Sequence, residues 1–132
     1  MLRIAVAQFN ATVGDLAGNV DRIVAMAALA TARGAQVLVT PELALCGYPP
    51  EDLLLRPDFY RACDRALDDL AARAGGIALV VGHPEERDGR RYNAATVIEN
   101  GAKKAVYRKV RLPNYEVFDE KRYFDAGREP CV

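Results

Sequence analysis

Hydrophobic and polar positions along this chain of 132 residues repeat with two different periods, and the switches between them predict the order of elements. Residues 2–9 alternate and include β-branched side chains, which predicts a first strand, and Gly14 with Gly18 punctuates the loop that follows. A helix is expected from Asn19. Val20, Ile23, Val24, Ala27 and Ala30 share one face of period 3.6, Asp21, Arg22 and Arg33 lie on the other side, and Gly34 closes the run. Residues 36–40 form a short apolar run stopped by Pro41, the pattern of a strand buried on both faces of a parallel sheet, and a loop rich in Gly and Pro covers residues 42–52. The second helix is expected over 58–74, where Phe59, Ala62, Cys63, Ala66, Leu67, Leu70 and Ala74 keep the i, i+3, i+4 pattern and Gly75-Gly76 supplies the stop. Residues 77–81 are a further apolar strand. Asp88-Gly89 and Asn100-Gly101 are hairpin dipeptides, so 92–99 and 102–109 are expected to pair antiparallel. The order β-α-β-α-β plus a meander places the chain in the α/β class, as a mixed sheet with packed helices. After Pro113 only a polar, aromatic loop is expected.

The length suits one domain or a part of one, and 51% hydrophobic residues are enough for a core. No apolar run approaches the roughly 18–20 residues of a membrane helix, and no signal region precedes the first strand, so no membrane is expected and the cytoplasm is the expected compartment. Lys plus Arg is 18 and Asp plus Glu is 18, which argues against nucleic acid as a partner. Cys46, Cys63 and Cys131 are odd in number, match neither a zinc knuckle nor a disulfide framework, and read as free thiols.

Candidate chemistry is sparse when residues are taken singly. Glu42 lies just past the end of a buried strand, where ligands bind in open α/β sheets, although a solvated loop carboxylate is the commoner occupant of such a place. Lys109 sits beside Arg108 and Arg111, and a basic run is usually a solvated face. His83 is the only histidine and no ligand pair has a suitable spacing, so no metal is expected. Gly75-Gly76 is not a dinucleotide fingerprint, and no P-loop is present. Tyr107, Tyr115, Phe118, Tyr123 and Phe124 cluster late in the chain, where aromatics more often plug a core than line a site.

Several separated segments change that picture. Val39-Thr40-Pro41-Glu42-Leu43, Cys46-Gly47-Tyr48-Pro49-Pro50-Glu51-Asp52-Leu53, Tyr92-Asn93-Ala94-Ala95 and Tyr107-Arg108-Lys109 resemble, in order and spacing, the nitrilase or carbon–nitrogen hydrolase superfamily. Within it, Leu112-Pro113-Asn114-Tyr115 followed by Val117-Phe118-Asp119-Glu120-Lys121-Arg122-Tyr123-Phe124 is similar to the glutamine amidotransferase domain of glutamine-dependent NAD synthetases. The resemblance implies an α-β-β-α sandwich of which residues 1–132 are a partial glutaminase domain. It also implies a Glu, a Lys and a Cys as catalytic machinery, the first two being Glu42 and Lys109 by motif. Glu120 matches a second family glutamate that supports Lys109, and Tyr48 and Tyr115 are expected to border the substrate pocket.

Those residue types suit the chemistry. Amide hydrolysis needs a thiolate, a base that takes its proton and later protonates leaving ammonia, and a positive charge for the oxyanion. The nucleophile of the family lies in a later Cys-Glu-Asp type motif, which neither Cys46, Cys63 nor Cys131 resembles, so the nucleophile region and the synthetase domain are expected to be absent from this chain and the chain to be inactive alone. The implied substrate is glutamine, with ammonia passed to ATP-dependent NAD synthesis from nicotinic acid adenine dinucleotide. The implied partners are the synthetase domain of the same parent chain and further copies in a homo-oligomer; no cofactor is implied for this part, and ATP and Mg2+ belong to the synthetase part. A free-standing amidase or carbamoylase, and a non-catalytic binding or assembly module of the same fold, remain as alternatives. Glu42 and Lys109 are expected to meet at one pocket, and the apolar strands, with two helices to cover them, are expected to leave a face and an edge bare.

Overall fold

Five strands form one mixed sheet in the order β1-β2-β3-β4-β5, in a computed structural model that describes residues 1–130. The strands are β1 (Ile4–Val6), β2 (Val37–Val39), β3 (Ala78–Arg87), β4 (Arg90–Glu99) and β5 (Ala102–Arg108). Helix α1 (Leu16–Ala32) connects β1 to β2, and α2 (Pro57–Arg73) leads into β3 after a 3-10 turn at Glu51–Leu55. The β1-β2 and β2-β3 pairs are parallel and the β3-β4 and β4-β5 pairs antiparallel, as the α/β mixed-sheet reading expected. Both hairpin dipeptides carry positive φ at both positions, Asp88 (52°) with Gly89 (74°) and Asn100 (51°) with Gly101 (76°), the backbone that a two-residue hairpin requires. Among the described residues no helix is long and apolar enough to cross a membrane.

Alternation along the strands sorts side chains between two faces. Ala5, Ala7, Leu38, Leu79, Val81 and Ile98 point at the helices and meet Val20, Ile23, Ala27, Tyr60, Cys63, Leu67 and Leu70 in one core. The opposite face carries the row Val6, Val39, Val80, Val97 and Ala105 across all five strands. No element of the described residues covers it: Val6 is 70% exposed and Ile4 57%. The bare face expected of apolar strands with only two helices to cover them is thus the one that carries Ile4 and Val6 on β1. One α layer on one sheet provides two of the four layers of an α-β-β-α sandwich.

Two boundaries differ clearly from expectation, because of contacts that the local periodicity does not contain. Helix α1 begins at Leu16, because the Asp15 side chain accepts a hydrogen bond from the Gly18 backbone N–H at 3.0 Å and caps it, so Gly18 is helical and not part of the loop. Asn19 is fully buried inside the helix, donating to the Thr12 and Leu45 carbonyls and accepting from the Thr12 N–H, which ties two loops to α1. Strand β3 runs through Pro84 to Arg87 and does not stop at Val81. Its pairing with β2 ends at Val80, Gly82 is bonded on that side only by Leu45 and Thr40, and Pro84 further along has no ladder bond to lose. The segment after Pro113 adds only a 3-10 turn, Glu120–Arg122. Cys131 lies outside the described residues.

Candidate active site

Pro41 ends β2 and the chain turns at once, with Leu43 in the left-handed region at φ 51°. This turn presses against β3, where a side chain at Gly82 would lie 2.6 Å from the Leu43 N and the Pro41 O. Gly82 is thus the residue that lets the turn approach, and the Leu45 N–H donating to the Gly82 O at 3.0 Å fastens it. Glu42 is held at the tip, over the open face of the sheet.

Lys109 follows the end of β5 and is pinned through its backbone from two sides. Its N–H donates to the Asn93 O on β4 at 2.8 Å, and its O accepts from the Gly127 N–H at 2.9 Å. A side chain at position 127 would overlap the Arg108 carbonyl, so this clamp also needs glycine.

The two anchored segments bring the charged groups together, as expected for Glu42 and Lys109. Lys109 Nζ donates to Glu42 Oε1 at 2.7 Å and to Glu120 Oε1 at 2.8 Å, while Asn93 Nδ2 donates to the same Glu42 Oε1 at 2.6 Å. Burial pulls the Lys109 ammonium down, and its hydrogen bonds to Glu120 and Glu42 outweigh that effect, leaving its pKa above the ordinary lysine value. The lysine is therefore a permanent cation at neutral pH. An ammonium has three N–H donors, of which two are used here. Glu120 is buried, and its Oε2 has no hydrogen-bond partner among the described residues.

This row of charges separates two hollows. Glu42, Lys109 and Asn93 border one of about 350 Å³ on the open face, floored by Val39, Val80, Gly82 and Tyr107. Glu120 borders the other, about 470 Å³, between the chain at Tyr48–Leu54 and the segment carrying Phe118, Arg122 and Tyr123. The Tyr123 hydroxyl donates to Asp52 Oδ1 at 3.2 Å and links the two walls. Tyr48 lines this second hollow; burial, then Glu42 and Glu120, push its phenol pKa up, against the opposing pull of Lys109. Tyr115 does not line it. That residue is 64% exposed and packs edge-on against Phe118, with ring centroids 5.6 Å apart. Neither Cys46 nor Cys63 borders either hollow: both are fully buried, and burial pushes the Cys46 thiol up to about 12.

Asn93 is the site residue to which the sequence reading attached no role, although its segment is part of the resemblance. The available signal was a polar side chain between Tyr92 and Ala94 in a strand otherwise suited to packing.

Residues 3–132 match the carbon-nitrogen hydrolase family. The chain is 52% identical over 128 residues to the glutamine-dependent NAD(+) synthetase of Xanthomonas campestris pv. campestris (strain 8004), an alignment covering 95% of this chain and 23% of that protein. It therefore spans about a quarter of the length of such relatives. The structure of glutamine-dependent NAD+ synthetase from Acinetobacter baumannii in complex with ADP superposes with a TM-score of 0.91 at 36% identity, over 97% of this chain and 24% of that one. The amidase from Nesterenkonia sp. AN1 superposes with a TM-score of 0.82 at 34% identity, over 98% of this chain and 49% of that one; a variant of that amidase carries the acetamide moiety of fluoroacetamide on its active-site cysteine.

Proposed function

The chain belongs to the carbon-nitrogen hydrolase family, and from that premise we propose that it forms the first part of a glutaminase domain in a parent protein that uses the released ammonia for ATP-dependent NAD synthesis from nicotinic acid adenine dinucleotide. The observation that carries the reading is the hydrogen-bonded row Glu42–Lys109–Glu120, built from three separate parts of the chain beside a hollow large enough for an amino acid.

Each member has a role that its contacts suit. Glu42 takes the proton of the nucleophilic thiol and returns it to the amide nitrogen as the carbon–nitrogen bond breaks, so that ammonia leaves. Lys109 uses two N–H groups to hold the carboxylates and turns the third toward the oxyanion of the tetrahedral intermediate. Glu120 keeps the ammonium aligned, and Tyr48 borders the side-chain path of glutamine; Tyr115 acts at most through Phe118. The thiol is assigned to a part of the parent outside the described residues, since Cys46 and Cys63 are sealed in the core with suppressed thiolate character. ATP and Mg2+ are assigned to the synthetase part, none is assigned to this one, and the parent is read as a homo-oligomer.

The Nesterenkonia amidase supports a second reading, a free-standing amidase, because this chain accounts for half of that protein. The greater identity and the higher TM-score to NAD synthetases favour the first. Ammonia release is the test, with glutamine and with a simple aliphatic amide as substrates. The intact parent should turn over glutamine and lose that activity with Glu42→Gln, whereas the 132-residue chain alone should release none. Turnover by the chain alone that disappears with Cys46→Ser would refute the assignment of the nucleophile, and a preference for the aliphatic amide would favour the second reading.

A further inference from the structure

Asn93 is 5% exposed and stands on β4 with its neighbours Tyr92 and Ala94 directed to the opposite side of the sheet, so its side chain is committed to the open face under Glu42. It touches both members of the charged pair by different atoms. Its main-chain carbonyl accepts the Lys109 backbone N–H at 2.8 Å, and its side-chain amide donates to Glu42 Oε1 at 2.6 Å. An ionised carboxylate only accepts, so the atom facing Glu42 must be the Nδ2 donor. Lys109 Nζ donates to the same oxygen, and no hydrogen bond among the described residues reaches Glu42 Oε2.

We infer that Asn93 is a positioning residue that fixes the distance between Glu42 and Lys109 and, by occupying Oε1 together with the lysine, leaves Oε2 as the oxygen that takes up the proton. The inference rests on Glu42 being the proton acceptor of the proposed hydrolysis. A carboxylate with both oxygens free would rotate between them and present the proton-accepting lone pair in several directions; two donors on one oxygen remove that freedom. Leucine at this position would fill the space without donating, and aspartate would fill it with a second carboxylate.

The experiment is a pH titration by NMR of the protein carrying 13C-labelled glutamate carboxyl groups and 15N-labelled side-chain amides, followed at Glu42 and at Asn93 Nδ2. In the unaltered protein the Asn93 amide resonances should move with the same midpoint as the Glu42 carboxyl. In Asn93→Leu the Glu42 midpoint should rise by roughly one pH unit, a tenfold change in proton affinity, and in Asn93→Asp by more, because two carboxylates in contact share a proton. A residue with only a packing role would leave the Glu42 midpoint unchanged in the near-isosteric Leu variant. That result, or Asn93 amide resonances indifferent to the Glu42 titration, would overturn the proposal; the second measurement needs no variant and stands if a variant fails to fold. Because the readout is the carboxyl group and not ammonia release, failure here is distinct from failure of the hydrolytic reading, which would leave these titrations as expected while Glu42→Gln left turnover intact.

Discussion

Replacing Lys109 by methionine, a chain of similar length without charge, removes the cation between two carboxylates and measures how much this site depends on it. The two contacts it breaks differ in environment. The Glu42 side chain is 44% exposed, so water replaces the lost partner and the cost there is about 0–1 kcal/mol. The Glu120 side chain is 11% exposed, its Oε2 has no partner among the described residues, and Lys109 is a side-chain donor to its Oε1. Losing that donor leaves a buried, uncompensated charge, which costs about 2–4 kcal/mol at neutral pH. Denaturant unfolding followed by circular dichroism at pH 7 should show that loss in Lys109→Met. Lys109→Met combined with Glu120→Gln should recover most of the stability at pH 7, since a neutral amide no longer requires a cation. In the unaltered protein the raised Lys109 pKa means that its contribution is present below the unfolded lysine value near 10.4 and is lost as pH rises through the folded value. A Lys109→Met protein within about 0.5 kcal/mol of the original at pH 7, or a double variant no better than the single, would refute the view that Glu120 is a buried charge held by this lysine.

Further outcomes follow from other parts of the fold. Gly82→Ala should destabilise by about 1–3 kcal/mol and displace the Glu42 turn, because the added methyl meets backbone atoms at 2.6 Å; an unchanged melting temperature would show that the turn yields freely. His83 is buried, its Nδ1 faces the Pro84 carbonyl at 3.1 Å and so carries the proton, and its Nε2 lies 2.6 Å from the Thr96 hydroxyl, which donates to it. Burial lowers its pKa, with Lys103 in the same direction and the Pro84 carbonyl and Glu85 opposing, so the unfolded chain binds the proton more tightly. Stability should therefore fall as pH drops below about 6.5, and His83→Gln should flatten that slope between roughly pH 6.5 and 5; an identical slope would exclude His83 as its source. The bare apolar row through Val6 and the unpaired edge of β1 should make the 132-residue chain self-associate. Sedimentation at several concentrations tests this, and a monodisperse, cooperatively unfolding monomer would contradict it.

Much of the architecture was written in local pattern. Period 3.6 in the two helical stretches, short apolar runs ending at Pro41 and Val81, and two dipeptides suited to positive φ are properties of neighbouring residues, and they carried the element order and the antiparallel meander without reference to distant contacts. The errors at Asn19 and Val81, and the choice of the bare face at β1, arise where partners outside the local pattern decide. Asp15 and the Thr12 and Leu45 loops decide what Asn19 does, the end of β2 decides that Pro84 costs nothing, and two helices on one side decide which face of β1 is bare.

The site divides in the same way. Glu42, Lys109 and Glu120 were legible through motifs, since the residue types that amide hydrolysis needs are few and their spacing is specific. Composition and local periodicity alone left Glu42 as a loop carboxylate and Lys109 as part of a basic run. Only the tertiary structure decided that one ammonium bridges two carboxylates 67 and 11 residues away, that Asn93 shares the oxygen with it, and that Tyr115 stands outside the hollow. The physical reason is that a hydrogen bond depends on separations of a few tenths of an ångström. Those are set by two close backbone approaches, at Gly82 and Gly127, between segments whose distance in sequence carries no record of their distance in space.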